Sequence, residues 1–385
     1  MSYQKNNKQK KMRNITHQDI SITQPDRILT IVVVFLIITG LIMVFSASVP
    51  KAVNAGLNPL HFAFIQLCGI IFGYIGLRIL CKFNYKKLIN ITNSFTVFVI
   101  GLLVFVLATG DVINGAQRWI SIGPFSLQPS EFAKPAVVML LARAFSKDTN
   151  LLDTAKWPTF GMILIIIGLI FKQPNLSMVL LLLATGVVMY FVAGGSRKFI
   201  LTCAGCVAAI GGLGCLQAYQ LQRIKIWFNP EVDPLGAGYN IIQSLVAFAS
   251  GGLFGCGFGA SKQKLAWLPE AHTDFIFAVI GEELGFIGCV LVIGLFWTIM
   301  QRGFLISSKC PDMYGKLLAV GLTFSICFQA FLNMSVASSM LPATGVPLPF
   351  ISYGGSSVTI TLCMIGILLN ISRKKVETMR IPQNV

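Results

Sequence analysis

The sequence predicts an all-α protein that crosses a membrane many times, and three observations predict it. Of the 385 residues, 55% are hydrophobic and only 11% are charged, whereas soluble domains carry about 25% charged residues. The mean hydropathy is +0.75. Apolar runs of the length that spans a bilayer, about 20 residues, recur along the whole chain. The basic residues fall between these runs and are concentrated on one side.

We delimit ten candidate spans, which set the domain organisation. A basic leader (1–27) precedes them and a tail (373–385) follows them, so that one membrane domain occupies 28–372. The fifth and sixth spans are separated only by the turn at 172–175 and are expected to form a hairpin. The spans lie at 28–48, 60–80, 88–109, 129–146, 158–173, 175–193, 199–219, 272–300, 316–339 and 356–372.

The distribution of basic residues predicts the topology. With the N-terminus inside, 22 of the 30 Lys and Arg residues fall on the inner side and 8 on the outer side, and the positive-inside rule then places both termini in the cytoplasm. The long connections 110–128, 220–271 and 340–355 lie outside, and 220–271 is a large extracytoplasmic loop between spans seven and eight. The net charge of +16 is thus a topology signal, and no nucleic-acid partner is expected.

Two motif-like patterns carry no site. Cys203 and Cys206 form a C-x-x-C without a second pair, which we interpret as small residues in helix packing. The glycine-rich run 255–262 lacks the G-K-[ST] order of a phosphate loop and lies outside the cytoplasm, so no nucleotide is expected. The leader is followed by no small-residue cleavage pattern, so the first span is expected to remain as an anchor.

The first candidate site is the segment NGAQRWISIGPFSLQPSEFAK over 114–134. Glu131 and Lys134 are three residues apart at the start of a span and share a helix face. They form either a structural ion pair or a two-signed pocket that is open to the outside. Arg118 suits phosphate binding, although an arginine beside Trp119 is also typical of an interfacial anchor. Gln128 lies in the same segment.

The second candidate site is Asp274, in LPEAHTDFIFAVIGEEL over 268–284. A carboxylate at the mouth of an apolar helix is expensive to ionise and is usually reserved for chemistry or ion handling. His272 is close in sequence, but a lone His-x-Asp is a weak metal motif. Glu282 and Glu283 lie deeper in the span and are expected to face the bundle interior or a cation such as Lys134.

The third candidate site is LPATGVPLPFISYGGSS over 341–357. Three prolines and three glycines predict a shaped, non-helical segment on the outer face, partly buried against other helices. The polar side chains of Ser352 and Tyr353 are candidates to contact a headgroup.

Together these three motifs resemble those of the SEDS family, the polytopic proteins of shape, elongation, division and sporulation, and the resemblance runs from the first span to the last. It implies a peptidoglycan glycosyltransferase that polymerises lipid II outside the cytoplasmic membrane, beside a class B penicillin-binding protein. The essential aspartate of the family falls on Asp274, and its polar pair falls on Glu131 and Lys134. Ala271, where elongation members more often carry arginine, favours the division branch and hence a location at the septum with other division proteins.

The resemblance leaves the role of the carboxylate open. Asp274 is either a general base or the ligand of a divalent cation, Mg²⁺ or Mn²⁺. Membrane lipids are the remaining expected partners. Alternative functions are a lipid II flippase, an elongation polymerase or a non-catalytic scaffold. Expected substrate contacts are Gln128, His272, Ser352 and Tyr353, with the diphosphate neutralised by Arg118, Lys134, Lys262 and Lys264.

Overall fold

A computed structural model describes residues 20–22, 24–113, 116–123, 125–150, 153–196, 218–236, 238–373 and 375–377, with isolated positions at 198, 201 and 205. The fold over these residues is helical, as the composition predicts. The helices are α1 (Arg27–Asn54), α2 (His61–Lys82), α3 (Leu88–Thr109), α4 (Pro129–Phe145), α5 (Trp157–Lys172), α6 (Leu176–Val192), α7 (Ala218–Phe228), α8 (Tyr239–Gly251), α9 (Gln263–Ala266), α10 (Ile276–Ser308), α11 (Met313–Ala337) and α12 (Gly355–Ser372).

The long apolar helices follow the predicted spans. Seven helical segments among the described residues are long and apolar enough to cross a membrane, including α1, α2, α10, α11 and α12. Nine of the ten predicted spans contain a helix. Three of these helices are short: α4 and α6 have 17 residues each and α5 has 16. The remaining predicted span, the seventh (199–219), lies outside the described residues apart from isolated positions and the start of α7. The chain is therefore a multi-pass membrane protein.

The connections that the sequence predicts to lie outside, called the outer connections here, have structure of their own. The connection 110–128 contains an antiparallel sheet of β2 (Asp111–Ile113), β3 (Ala116–Ile122) and β4 (Phe125–Leu127), in the order β2-β3-β4. A second pairing joins β1 (Ile20–Ile22) to β5 (Lys375–Glu377). The loop 220–271 carries α7, α8 and α9.

The interior of the bundle is formed by α4, α11 and α12. In the most apolar stretch of α11, 72% of residues are buried, against 17% for the segment that contains α5. Helix α11 packs against α4 and α10, and α12 packs along α2. Peripheral helices expose their apolar side chains because lipid, rather than protein, is their expected neighbour.

Close glycine contacts bring α2 against α12. A Cβ on Gly69 would lie 2.7 Å from Cα of Gly355, and a Cβ on Gly73 would lie 2.6 Å from Leu362 Cδ1. Such small-residue faces let helix backbones approach closely where lipid supplies no hydrophobic driving force. This contact anchors the end of the 341–357 segment, from which α12 begins.

Helix α10 is broken at Gly285, whose backbone adopts φ 68° and ψ −169°. The break leaves backbone groups of the helix without their usual partners, and the outer loop supplies new ones. Phe286 N donates to Gly252 O at 2.9 Å, and Glu282 O accepts from Cys256 N at 2.9 Å. Irregular backbone at membrane depth is stable only when its polar groups are paired in this way. The glycine-rich run 255–262 therefore has a structural role, because its backbone N–H groups bind carbonyls next to the break in α10.

Candidate functional site

Asp274 lies in the turn that leads into α10, and hydrogen bonds fix the backbone around it. Three consecutive carbonyls are held: His272 O accepts from Tyr353 N at 2.9 Å, Thr273 O from Ser352 Oγ at 2.6 Å, and Asp274 O from Asn333 Nδ2 at 2.9 Å. Asn333 also donates from Nδ2 to Val346 O at 2.7 Å. The aspartate is thus positioned by α11 and by the 341–357 segment together.

Gln66 of α2 also holds the backbone of the 341–357 segment in place. Its side chain is fully buried, with Nε2 donating to Ser352 O at 3.2 Å and Oε1 accepting from Gly354 N at 3.1 Å. Ser352 in turn accepts a bond at Oγ from Leu348 N at 2.8 Å. The predicted role of Ser352 as a headgroup contact stays a prediction, because in this structure its hydroxyl serves the backbone.

The environment of Asp274 favours the protonated carboxyl more than water does. Burial, and next the neighbouring carboxylate of Glu270, raise the pKa of Asp274 to about 6, while Arg223 and Arg118 act in the opposite direction. The residue as a whole is only partly buried. A Cβ on Gly345 would lie 3.4 Å from Asp274 Oδ2, so glycine keeps one side of the carboxylate open. A carboxylate tuned in this way suits proton transfer near neutral pH.

His272 belongs to an aromatic cluster beside Asp274. Its ring centroid lies 5.4 Å from that of Phe62 and 5.6 Å from that of Tyr353. Burial, and next the Lys51 ammonium, lower the pKa of His272 to about 4, so the imidazole is neutral at pH 7. Lys51 Nζ lies 3.4 Å from His272 Nε2 and 3.7 Å from Glu270 Oε1. The cluster forms one wall of the site.

Glu131 and Lys134 form a buried ion pair at the start of α4. Lys134 Nζ lies 2.6 Å from Glu131 Oε2, with side-chain exposures of 1% and 0%. Lys134 also donates to Gln329 Oε1 at 2.5 Å, and Gln329 Nε2 donates to Pro347 O at 2.9 Å. The pair is enclosed in this structure and, through Gln329, supports the 341–357 segment. The ammonium is held between two acceptors.

Gln128 joins the start of α4 to the start of α12, because its backbone N–H donates to Ser356 Oγ at 3.2 Å. Several buried polar atoms at this junction lack a protein hydrogen-bond partner among the described residues: Gln128 Oε1, Ser130 Oγ, Glu131 Oε1 and Ser357 Oγ. Such groups normally bind water or a ligand. The junction is therefore polar enough to receive hydroxyl groups.

The two outer-loop lysines are placed differently from each other. Lys264 Nζ is buried and bonds to Glu283 Oε1 at 2.5 Å and to Ser46 Oγ at 2.7 Å. Glu283 therefore faces the interior, as expected, and its cation partner is Lys264. The sequence had offered Lys134 as an example of such a partner. Lys262 is exposed, and its backbone N–H donates to Glu282 Oε1 at 2.9 Å. Both glutamates fasten the outer loop to α10.

The described residues do not form a resident metal cage. No group of three or more His, Cys, Asp or Glu side chains in the described part of the chain is arranged to hold an ion. The charged groups whose fields act on the Asp274 carboxyl are Glu270, Arg223 and Arg118, and two of the three are cations. This donor set does not fit a metal held by the protein alone.

Sequence reasoning missed Arg223 and Asn333. Arg223 lies in α7 and donates from Nη1 to Ala343 O at 2.7 Å. Asn333 lies in α11, and a polar amide within a spanning helix is costly, as a charge is. Asn333 could therefore have been recognised from the sequence more easily than Arg223. Arg223 was counted among the outer basic residues, but nothing in its spacing marks it out from Lys225.

The fold and site define a class: a multi-pass membrane protein with a partly buried carboxylate in the turn before a spanning helix, on which two guanidinium groups act through their charge. The chain belongs to the FtsW, RodA and SpoVE family of cell cycle proteins, whose family model matches residues 26–377.

Similar proteins extend over almost the full length. A probable peptidoglycan glycosyltransferase FtsW from Trichlorobacter lovleyi is 40% identical over 94% of this chain and 96% of the relative. Stage V sporulation protein E from Bacillus subtilis is 40% identical over 91% of this chain and 98% of the relative.

Solved structures share the fold. A chain of a peptidoglycan synthase complex that coordinates polymerization and crosslinking aligns with TM-score 0.74 at 28% identity, covering 90% of this chain and 97% of that one. The rod shape determining protein RodA of Thermus thermophilus aligns with TM-score 0.67 at 26% identity, covering 91% and 97%.

Proposed function

We propose that this protein is a peptidoglycan glycosyltransferase that polymerises lipid II at the outer face of the cytoplasmic membrane. Family membership and relatives named as probable peptidoglycan glycosyltransferases support the reaction class. The observation that carries the proposal is the Asp274 carboxylate, held through three carbonyls and with its pKa raised to about 6. A scaffold has no need of such a group.

The proposed step is a glycosyl transfer with Asp274 as general base. The acceptor sugar hydroxyl attacks the anomeric carbon of the lipid-linked donor and transfers its proton to the Asp274 carboxylate. The new C–O bond forms as the bond from the anomeric carbon to the diphosphate oxygen breaks, and the diphosphate leaves with its electron pair. At pH 7 about nine-tenths of a carboxyl with pKa about 6 is ionised and ready to accept the proton.

A divalent cation on the diphosphate is the second proposed role for Asp274. Mg²⁺ commonly binds through one or two carboxylates together with substrate phosphates, which needs no protein cage. Chelation separates the two roles. Polymerisation that survives EDTA favours the general base, whereas a loss that Mg²⁺ or Mn²⁺ restores favours the cation ligand.

We further propose a class B penicillin-binding protein as partner, since the similar chain from a peptidoglycan synthase complex belongs to an assembly that joins polymerization to crosslinking. The FtsW relatives support a role in septum synthesis, and the excess of Lys and Arg on one side supports cytoplasmic termini. Other division proteins are expected in the same assembly.

The test is polymerisation of labelled lipid II by the purified chain with its transpeptidase partner. Wild-type protein is expected to make glycan strands, and Asp274→Asn is expected to make none while it retains partner binding. Lipid II transfer across vesicles without any polymer would instead support a flippase and refute the proposal. Polymer from Asp274→Asn would refute the assignment of the base.

A further inference from the structure

Arg223 reaches the site from the outer loop. Helix α7 rests on the 341–357 segment and its approach: Arg223 Nη1 donates to Ala343 O at 2.7 Å, and Trp227 Nε1 donates to Ser339 O at 2.9 Å. Two residues beyond Ala343 lies Gly345, which borders the Asp274 carboxylate. The guanidinium is therefore anchored two residues before the glycine that borders the carboxylate, and it acts on the carboxylate through its charge.

Arg118 reaches the same place from the β-sheet. Its Nε donates to Gln173 O at 2.9 Å and its Nη2 donates to Pro174 O, at the turn between α5 and α6. Three residues later, Ser177 Oγ donates to Thr344 O at 3.2 Å. Helix α6, which follows the turn that holds Arg118, and helix α7, which carries Arg223, thus contact adjacent residues of one segment.

Two of the lysine candidates are engaged elsewhere. Lys134 Nζ lies between Glu131 and Gln329, and Lys264 Nζ lies between Glu283 and Ser46, all with little or no exposure. Withdrawing either ammonium would leave a buried carboxylate uncompensated, which is strongly destabilising. Neither lysine is suited to follow a substrate.

We propose that Arg223 and Arg118 together bind the diphosphate of a lipid-linked ligand beside Asp274, an inference that rests on the proposed glycosyltransferase function. A guanidinium presents a planar fork of donors that matches phosphate oxygens and cannot lose its charge. Two such groups neutralise a leaving diphosphate as the glycosidic carbon detaches. The buried Thr344 Oγ1, which has no hydrogen-bond partner among the described residues, lies next to Gly345 and adds a hydroxyl to the site.

The test measures binding of farnesyl diphosphate, farnesyl monophosphate and inorganic pyrophosphate to the full chain in detergent. Arg223→Gln is expected to weaken farnesyl diphosphate binding about tenfold or more, and to affect the monophosphate less. Inorganic pyrophosphate is expected to bind more weakly than the farnesyl diphosphate, because it lacks the apolar chain; equal affinity would place free pyrophosphate, not a lipid, as the ligand and overturn the lipid-linked part.

Two control variants on the same helix separate binding from tethering. Trp227→Phe removes the neighbouring hydrogen bond to the backbone without a change of charge, and Lys225→Gln removes an exposed charge; both are expected to bind as wild type does. If Trp227→Phe weakens binding as much as Arg223→Gln, Arg223 is a structural tether and the inference is overturned. Should Arg223→Gln not fold, Arg223→Lys, which keeps charge but loses the fork, is expected to weaken binding and carries the same test.

The inference and the proposed function fail separately. Polymerisation that persists together with unchanged diphosphate binding in Arg223→Gln overturns the inference and leaves the function intact. Binding that depends on Arg223 in a chain that makes no glycan would support the site and count against the polymerase. Asp274→Asn is expected to retain diphosphate binding while it loses polymerisation. Loss of both would contradict the assignment of diphosphate binding to the arginines and of proton transfer to Asp274.

Discussion

Replacing Asp274 by asparagine is expected to stabilise the protein at neutral pH while it abolishes polymerisation. The pKa of Asp274 rises from 3.8 to about 6 on folding, so the folded state holds the proton more tightly than the unfolded state does. This contribution to stability is complete below pH 3.8 and is lost as the pH rises through about 6. Asparagine does not titrate and therefore escapes the loss.

The size of the effect follows from the shift. About two pH units at about 1.36 kcal/mol per unit give an upper value of about 3 kcal/mol. Asp274 as a residue is only partly buried, so we discount this value to about 1–2 kcal/mol. The advantage of Asp274→Asn over wild type should grow between about pH 4 and pH 6 and level off above, and it should raise the unfolding temperature by about 3 °C.

Thermal unfolding in detergent across this pH range checks the stability, and the pH dependence of wild-type kcat/KM checks the chemistry. A base with pKa about 6 predicts a fall of about tenfold between pH 7 and pH 5. Glu231→Gln, an exposed acid in the same outer loop, serves as the control and should change neither quantity. A stability difference that is absent, or that does not vary with pH, would refute the reasoning from burial.

Three further predictions concern the supports of the site. Asn333→Leu should lower polymerisation per folded molecule because it frees the carbonyls of Asp274 and Val346, at about 1–3 kcal/mol for each unpaired group. Asn370→Leu, near the C-terminal end of α12, should instead lower stability and leave that rate intact. Glu131→Gln and Lys134→Met should each destabilise by about 3–5 kcal/mol in thermal unfolding, and the double variant should recover most of the loss. Gly69→Leu should destabilise by about 1–3 kcal/mol, because a side chain there forces α2 away from α12.

Each of these predictions has a contrary outcome. Equal activity losses in the two asparagine variants would make the carbonyl support irrelevant to the rate. Additive losses in the double variant would show that the two buried side chains do not form one ion pair. An unchanged unfolding temperature with leucine at position 69 would contradict the close helix contact.

The sequence predicted separate parts of the candidate site. A carboxylate at the start of an apolar helix is costly to desolvate, so Asp274 can be identified without any structure. The Glu131–Lys134 pair follows from helical periodicity, and prolines with glycines mark 341–357 as irregular backbone. The spacing of this pair did not decide between an open pocket and a closed ion pair. The closed arrangement includes Gln329, which is more than 190 residues away in the chain.

The sequence by itself determined that the chain is a multi-pass helical membrane protein. It also indicated which charged side chains cost too much free energy to bury without a function. Both follow from hydropathy and charge, which are local properties of the sequence. Only the tertiary structure decided which polar groups meet. It paired Lys264 with Glu283, fixed the Asp274 loop through Asn333 and brought Arg223 beside the carboxylate. Those contacts join residues tens to hundreds of positions apart, and no local pattern specifies them, because each depends on how the helices pack.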